Sequence, residues 1–127
     1  MKNSIKENVE ALLAIMEPII GRALFCEAVA NAFTDSDQVL FLVPEPAYVR
    51  NTITESSSYV PQLNQGIAEL EAYRNEYQNE EEGLYDSEIT LITVFRSRLV
   101  LTRDRLIHAN VVLETVLESL EEEEMPI

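Results

Sequence analysis

The sequence has few of the residues that are typical of small domains with many turns. It contains one cysteine, one histidine, three glycines and no tryptophan in 127 residues. A single cysteine excludes a framework of internal disulfides, and with only one histidine beside it the usual zinc and haem sites are effectively excluded. Few glycines favour a small number of long elements over many short strands. We therefore expect no cofactor and no resident metal.

Long uninterrupted apolar runs are also absent. None approaches the roughly 18–20 residues that a membrane-spanning helix needs. Glu7 and Glu10 interrupt any apolar region near the amino terminus that could serve as a signal peptide. Cys26 falls on an apolar helix face with Glu27 beside it, which favours a small buried side chain over a nucleophile. These features predict a cytoplasmic protein that does not bind membranes.

Basic residues are outnumbered, with nine Lys and Arg against 23 Asp and Glu and a net charge of −14. A chain with this charge is repelled by nucleic-acid phosphates and by anionic lipid, so direct binding to either is disfavoured. A basic partner protein or a divalent cation would be attracted. With 46% hydrophobic residues the chain is apolar enough to fold, and its length suits one domain over residues 1–127.

Apolar residues that alternate at spacings of four and three predict a first helix over residues 4–33. Ser4 and Glu7 form a capping box at its start, where their side chains satisfy free backbone amides. Pro18 lies inside the pattern and predicts a kink or break. The physical reason is that proline removes one backbone hydrogen bond and crowds the preceding turn.

The segment over residues 34–60 is expected to be irregular or extended. The apolar run 39–43 predicts either a short buried strand or an extended segment, and two prolines follow it. A strand there would need a pairing partner, for example its counterpart in a dimer. Pro61 suits the first turn of a second helix, which we expect over residues 61–82.

The most regular pattern belongs to a third helix, predicted over residues 86–121. Its apolar and small residues repeat at alternating spacings of three and four from Ile92 to Leu120. Asp86 or Ser87 is a suitable N-cap. The acidic tail 121–127 is expected to fray, because negative charge at a helix carboxyl end opposes the helix dipole.

Gly83 is a natural stop between two periodic helices, so the second and third helices should form an antiparallel hairpin. In that register Arg96 lies opposite Glu71, and Arg98 lies opposite Glu69. Three helices of this length also have more apolar surface than they can cover for one another. The sequence therefore predicts an all-α helical bundle that is at least dimeric.

Carboxylates gather around the Gly83 turn, where they form the predicted partner-binding surface. These residues are Glu76, Glu80, Glu81, Glu82, Asp86 and Glu88. Such a cluster could also collect Ca²⁺ or Mg²⁺, because hard cations bind several oxygens. The spacing of an EF-hand loop is absent, however, and a solvated acidic turn that attracts a basic protein is the favoured interpretation.

The segment Arg103-Asp104-Arg105-Leu106-Ile107-His108 resembles the Arg-x4-His motif of HEPN domains, which are all-helical modules that include metal-independent ribonucleases. The resemblance covers six residues of one helix and implies that Arg103 and His108 would be a catalytic pair. In that role the histidine would act as acid or base, and the arginine would stabilise charge on the phosphate. A HEPN-like ribonuclease is therefore the enzyme alternative.

Three functions follow from these patterns. The leading hypothesis is a non-enzymatic, acidic interaction module that binds a basic, nucleic-acid-binding protein, as immunity proteins and phage-encoded inhibitors do by charge complementarity. The second is a structural or assembly protein, such as a virion component or a chaperone-like adaptor. The third is the ribonuclease.

Overall fold

Three long helices make up almost all of the chain that the structure describes. The computed structural model describes residues 4–34, 45–80 and 83–124. Within these ranges there is no strand, and the helices are α1 (Ile5–Thr34), α2 (Pro46–Gln78) and α3 (Asp86–Glu124). The prediction of an all-α helical bundle is confirmed. The apolar run 39–43, the candidate strand, lies outside the described residues.

Contacts between the helices define their relative order. Between α2 and α3 the ring of Tyr77 lies 4.7 Å from that of Tyr85, whereas Arg50 at the other end of α2 pairs with Glu121 at 2.9 Å. The ion pairs between α1 and α3 follow the same order along both helices, because Glu17 pairs with Arg98 and Glu27 pairs with Arg105. The beginning of α1 therefore lies at the same end of the bundle as Gly83.

The apolar face of α3 is buried along the length of the core, as its spacing predicts. Its buried members are Ile92, Phe95, Leu99, Thr102, Leu106, Ala109 and Leu113. A large cluster around Leu63, Leu70 and Leu99 joins all three helices, and a smaller cluster near the other end includes Val49 and Leu113. Burying such side chains contributes roughly 1.5–3 kcal/mol each, so this face accounts for much of the stability.

The prediction of an irregular segment over residues 34–60 is wrong from Pro46 onward. α2 begins there, with the proline in its first turn, and Pro61 lies in the helix interior instead of starting it. The buried residues of this first half repeat at helical spacing: Val49, Thr52, Ser56 and Tyr59. Their burial against the neighbouring helices outweighs the low helix propensity of the local sequence.

The hydroxyl-rich part of α2 satisfies its polar side chains within the helix. Thr52 donates to the Tyr48 carbonyl at 2.9 Å, and Thr54 donates to the Arg50 carbonyl at 3.0 Å. Such bonds to the preceding turn allow Ser and Thr to remain in a helix interior. These bonds help residues 46–60 to form a packed helix where an irregular segment was predicted.

α1 continues as one helix through Pro18 and Gly21, so the predicted break is not found. Pro18 is exposed, as is Ala14, whose carbonyl loses its usual amide partner. Water can hydrate a carbonyl on the solvent side, which lowers the cost of proline in a helix. At the start of α1, Ser4 Oγ accepts a hydrogen bond from the Glu7 amide at 3.1 Å, as the capping box predicts.

The helical part of the predicted acidic tail reaches Glu124, so α3 extends beyond the expected end at residue 121. Glu121 does not stand free, since Arg50 donates to its carboxylate from both Nε and Nη2. This pair supplies a cation near the carboxyl end of α3, where the helix dipole favours positive charge.

None of the helices in the described ranges combines the length and the apolar character needed to cross a membrane.

A candidate partner-binding site at the Gly83 end

The end of the bundle at Gly83 is rich in carboxylates from all three helices. Gly83 lies between α2 and α3 and adopts a φ of 83°, a left-handed conformation that favours glycine. Five described acidic residues line the two pockets beside Tyr77 or raise its pKa: Glu10 of α1, Glu76 of α2, Glu80 just beyond it, and Asp86 and Glu88 of α3. We call these five residues the acidic end.

A shallow groove of about 170 Å³ opens between α1 and α3 within the acidic end. Apolar side chains form its floor and walls: Val9, Tyr77, Leu91 and Ile92. Its rim carries Lys6, Glu10 and Glu88, so an apolar surface is bordered mainly by negative charge. Leu91 is 53% exposed, which leaves apolar area available to a partner.

The pKa of the Tyr77 side chain depends on its burial and on the carboxylates of the acidic end. Burial is the main cause that raises the pKa of its phenol, and Glu88 is the next. Further increases come from Tyr85, Glu10 and Glu76. A raised pKa is expected where neighbouring groups disfavour a second negative charge. Glu88, Glu10 and Glu76 therefore all lie close enough to act on Tyr77, and their carboxylates would attract a cationic side chain.

The structure brings together four of the six predicted partner-binding residues. Glu76, Glu80 and Asp86 are exposed, and Glu88 is half-buried. Glu81 and Glu82 lie outside the described residues. Sequence reasoning missed Glu10, because its place in the site depends on the direction in which α1 packs. The sequence signal that was available is that Glu10 directly follows Val9, which belongs to the apolar face of α1.

Arg103 and His108, the pair suggested by the HEPN resemblance, face different neighbours. Arg103 donates to Asn64 of α2 at 3.0 Å and to Asp104 at 3.1 Å. His108 is exposed and borders a cleft beside α1 together with Asn31. Within one chain the two side chains therefore do not converge on a common substrate position.

Only one of the two predicted ion pairs across α2 and α3 is found. Arg96 lies 3.8 Å from Glu71, as predicted. Arg98 instead pairs with Glu17 of α1 at 2.8 Å, so its assignment to Glu69 is wrong. The reason is that α1 packs beside α3 on the side from which Arg98 projects. The predicted register included only α2 and α3.

No group of three or more His, Cys, Asp or Glu side chains within residues 4–34, 45–80 and 83–124 is arranged to hold a metal ion.

A second polar cluster lies between α1 and α2, far from the acidic end along the bundle. Tyr59 donates to the Glu55 carboxylate at 2.5 Å, and Glu55 also influences the buried thiol of Cys26. Burial and then Glu55 raise the pKa of that thiol, which favours the unreactive protonated form. Cys26 is fully buried, as its position on the apolar face predicts.

Tyr59 makes the stability of the protein sensitive to alkaline pH. Burial, its hydrogen bond to Glu55 and the charge of Glu55 raise the pKa of Tyr59 to about 12 from an ordinary 10.0. Between these values the unfolded chain has lost a proton that the folded protein retains, so raising the pH favours unfolding. This contribution is present below pH 10.0 and is lost as the pH approaches about 12.

Tyr59→Phe should therefore flatten the decline of the unfolding free energy across this pH range, as measured by urea melts at successive pH values. Tyr48→Phe is the matched control, because Tyr48 is 48% exposed on the same helix. Equal slopes for Tyr59→Phe and the unsubstituted protein would contradict the assignment.

Comparisons of the chain with protein-family models, with curated proteins and with solved structures found no match.

Proposed function

We propose that this protein is a non-enzymatic interaction module whose acidic end binds a basic segment of a partner protein. The observation that supports the proposal is an apolar groove bordered by Glu10 of α1 and Glu88 of α3, with the other carboxylates of the acidic end around the neighbouring Tyr77. An apolar floor with a charged rim resembles the composition of protein interfaces, in which a buried centre provides affinity and the rim provides specificity.

The net charge of −14 extends this preference beyond the groove. Long-range attraction would accelerate encounter with a cationic protein and would repel nucleic acid from the same surface. A partner that uses its basic surface to hold nucleic acid would then be blocked. We therefore propose an inhibitor or antagonist of a nucleic-acid-binding protein, in the manner of an immunity protein or phage-encoded inhibitor.

Neutralising the acidic end should weaken binding of a basic peptide by at least about tenfold, because several charged contacts are lost together. The variant carries Glu10→Gln, Glu76→Gln and Glu88→Gln, one on each helix, which keep side-chain shape and each remove one negative charge. The probe is a fluorescent peptide with alternating lysine and leucine, and the measurement is fluorescence anisotropy near physiological salt.

The matched control removes the same charge from another part of α3, with Glu114→Gln, Glu118→Gln and Glu122→Gln at exposed positions. It should change the affinity by no more than about threefold, since distant exposed charges are screened. Equal losses from both triple variants would mean that net charge alone attracts the peptide, and the site would be rejected. Arg103→Ala and His108→Ala should leave peptide binding intact, whereas RNA cleavage abolished by either would favour the ribonuclease.

The second candidate is an assembly function through self-association, and the exposed apolar residues beside the α1 and α3 contact favour it. Four such residues lie on this side: Leu24 (43% exposed), Leu91 (53%), Val94 (62%) and Leu101 (57%). Leu24 and Leu101 lie at one level of the bundle, between the Glu17–Arg98 and Glu27–Arg105 ion pairs.

These ion pairs neutralise the charged residues around the apolar side chains. Two copies that each carry a charge of −14 repel one another over most of their surface, so a locally neutral apolar side is the favourable place for contact. We propose a dimer of antiparallel α2–α3 hairpins, each covered by α1, that meets through this side.

Light scattering at micromolar concentration should then give about twice the chain mass of 14.4 kDa. Leu24→Gln with Leu101→Gln should shift the mass to that of the monomer without unfolding, because both positions are exposed. Ile107→Gln, at another exposed position of α3 (45%), is the control and should remain dimeric. A monomer mass for the unsubstituted protein would rule out self-association.

A further inference from the structure

Two arginines converge on one carboxylate across the α2 and α3 contact. Arg74 of α2 lies 3.6 Å from Glu71, and Arg96 of α3 lies 3.8 Å from the other oxygen of the same carboxylate. Both separations exceed the length of an ordinary N–H···O hydrogen bond. The Nε atoms of both arginines are buried without an acceptor among the described residues.

Four other described arginines have carboxylate partners of their own at hydrogen-bond distance. Arg50 pairs with Glu121 at 2.9 Å and Arg98 with Glu17 at 2.8 Å, whereas the remaining two pairs are Arg103 with Asp104 and Arg105 with Glu27. Arg74 and Arg96 instead share a single negative charge. Their cluster with Glu71 therefore carries a local net charge of about +1 on a strongly acidic protein.

The two guanidinium groups remain accessible at the surface, because the side chain of Arg74 is 24% exposed and that of Arg96 is 30% exposed. Guanidinium groups present several N–H donors in one plane and match the oxygens of carboxylate and phosphate groups. Since the Nε atoms are buried, an oxyanion would bind from the solvent side of the two guanidinium groups, where charge-assisted N–H···O bonds are stronger than neutral ones.

From these observations we propose that Arg74 and Arg96 form a binding site for a single oxyanion group, a carboxylate or a phosphate, that bridges the two guanidinium groups. Glu71 occupies the site weakly in the absence of a ligand and competes with it. The site has the opposite charge preference from the acidic end, so it gives the protein a second class of ligand.

The test uses the whole chain and follows the arginine Nε–Hε resonances by NMR during separate titrations with inorganic phosphate and with acetate. Sodium chloride at matched ionic strength is the reference for general screening. The resonances of Arg74 and Arg96 should shift and saturate with at least one oxyanion, whereas that of Arg98 should follow the chloride reference. A response to phosphate alone identifies a phosphate site, and a response to acetate identifies a carboxylate site.

Substitutions should change the affinity in opposite directions. Arg96→Gln should weaken binding by roughly tenfold, since it removes one of two charged donors. Glu71→Gln should strengthen it by roughly threefold, because the competing carboxylate is lost. Arg98→Gln, at a paired and exposed arginine on the same helix, should change it by less than about twofold.

The Glu71→Gln result keeps the test informative if Arg96→Gln folds poorly. The proposal is overturned if neither anion moves the two resonances beyond the chloride reference. It is also overturned if Glu71→Gln weakens binding, or if Arg98→Gln weakens it as much as Arg96→Gln. These outcomes are independent of peptide binding at the acidic end.

Discussion

Val49→Asp is expected to destabilise the protein by roughly 4 kcal/mol or more, the range reached when an unpaired charge is buried. Val49 is fully buried near the start of α2, in the cluster that also contains Ala30 of α1 and Leu113 of α3. The described side chains that pack in that cluster are apolar, so a carboxylate there would lose its hydration without gaining a hydrogen-bond partner from them. Urea unfolding followed by circular dichroism measures the effect.

Ala47→Asp is the matched control, because Ala47 is exposed two residues earlier on the same helix. It should change stability by no more than about 0.5 kcal/mol, and negative charge in a first helical turn is favourable. If Val49→Asp were as mild as Ala47→Asp, the beginning of α2 would not be packed, and the segment would be irregular as its local sequence suggests.

The second large effect is expected from Leu106→Ala, which should cost about 2–5 kcal/mol by removing buried methyl groups and leaving a cavity. Leu106 is 1% exposed and belongs to the larger core cluster. Ile107→Ala removes the same number of carbons at a position that is 45% exposed on the same helix and should cost much less. Urea melts of both variants provide the comparison.

His108→Ala should also have a small effect, since His108 is exposed. The result that would contradict this packing is a loss from Ile107→Ala or His108→Ala equal to that from Leu106→Ala. Either outcome would mean that α3 presents a different face to the core. The same measurements show whether Leu106 contributes to stability through its burial, apart from any role of the Arg103 and His108 motif that contains it.

The candidate site was predicted in part. Acidic residues near the Gly83 turn are close in sequence, so Glu76, Glu80, Asp86 and Glu88 could be grouped before the fold was known. Glu10 could not, because it is distant in sequence and reaches the site only through the packing of α1. The apolar floor was equally hidden, since Val9 and Leu91 meet across helices.

The ion pairs were also predicted only in part. A register drawn for two helices predicted Arg96 beside Glu71, and that pair is found at 3.8 Å. The same register placed Arg98 beside Glu69, but a third helix supplies Glu17 at 2.8 Å instead. Pairing of long charged side chains depends on every neighbouring helix, which a local pattern does not reveal.

The sequence by itself determined the helical class, the buried face of α3 and the burial of Cys26, because apolar spacing along one helix is a local property. The tertiary structure alone decided that residues 46–60 are helical. Their serines and threonines have weak helix propensity, and the helix is stable because Val49, Ser56 and Tyr59 are buried against other helices. It also decided which charges meet, since that depends on the relative direction and rotation of helices that are distant along the chain.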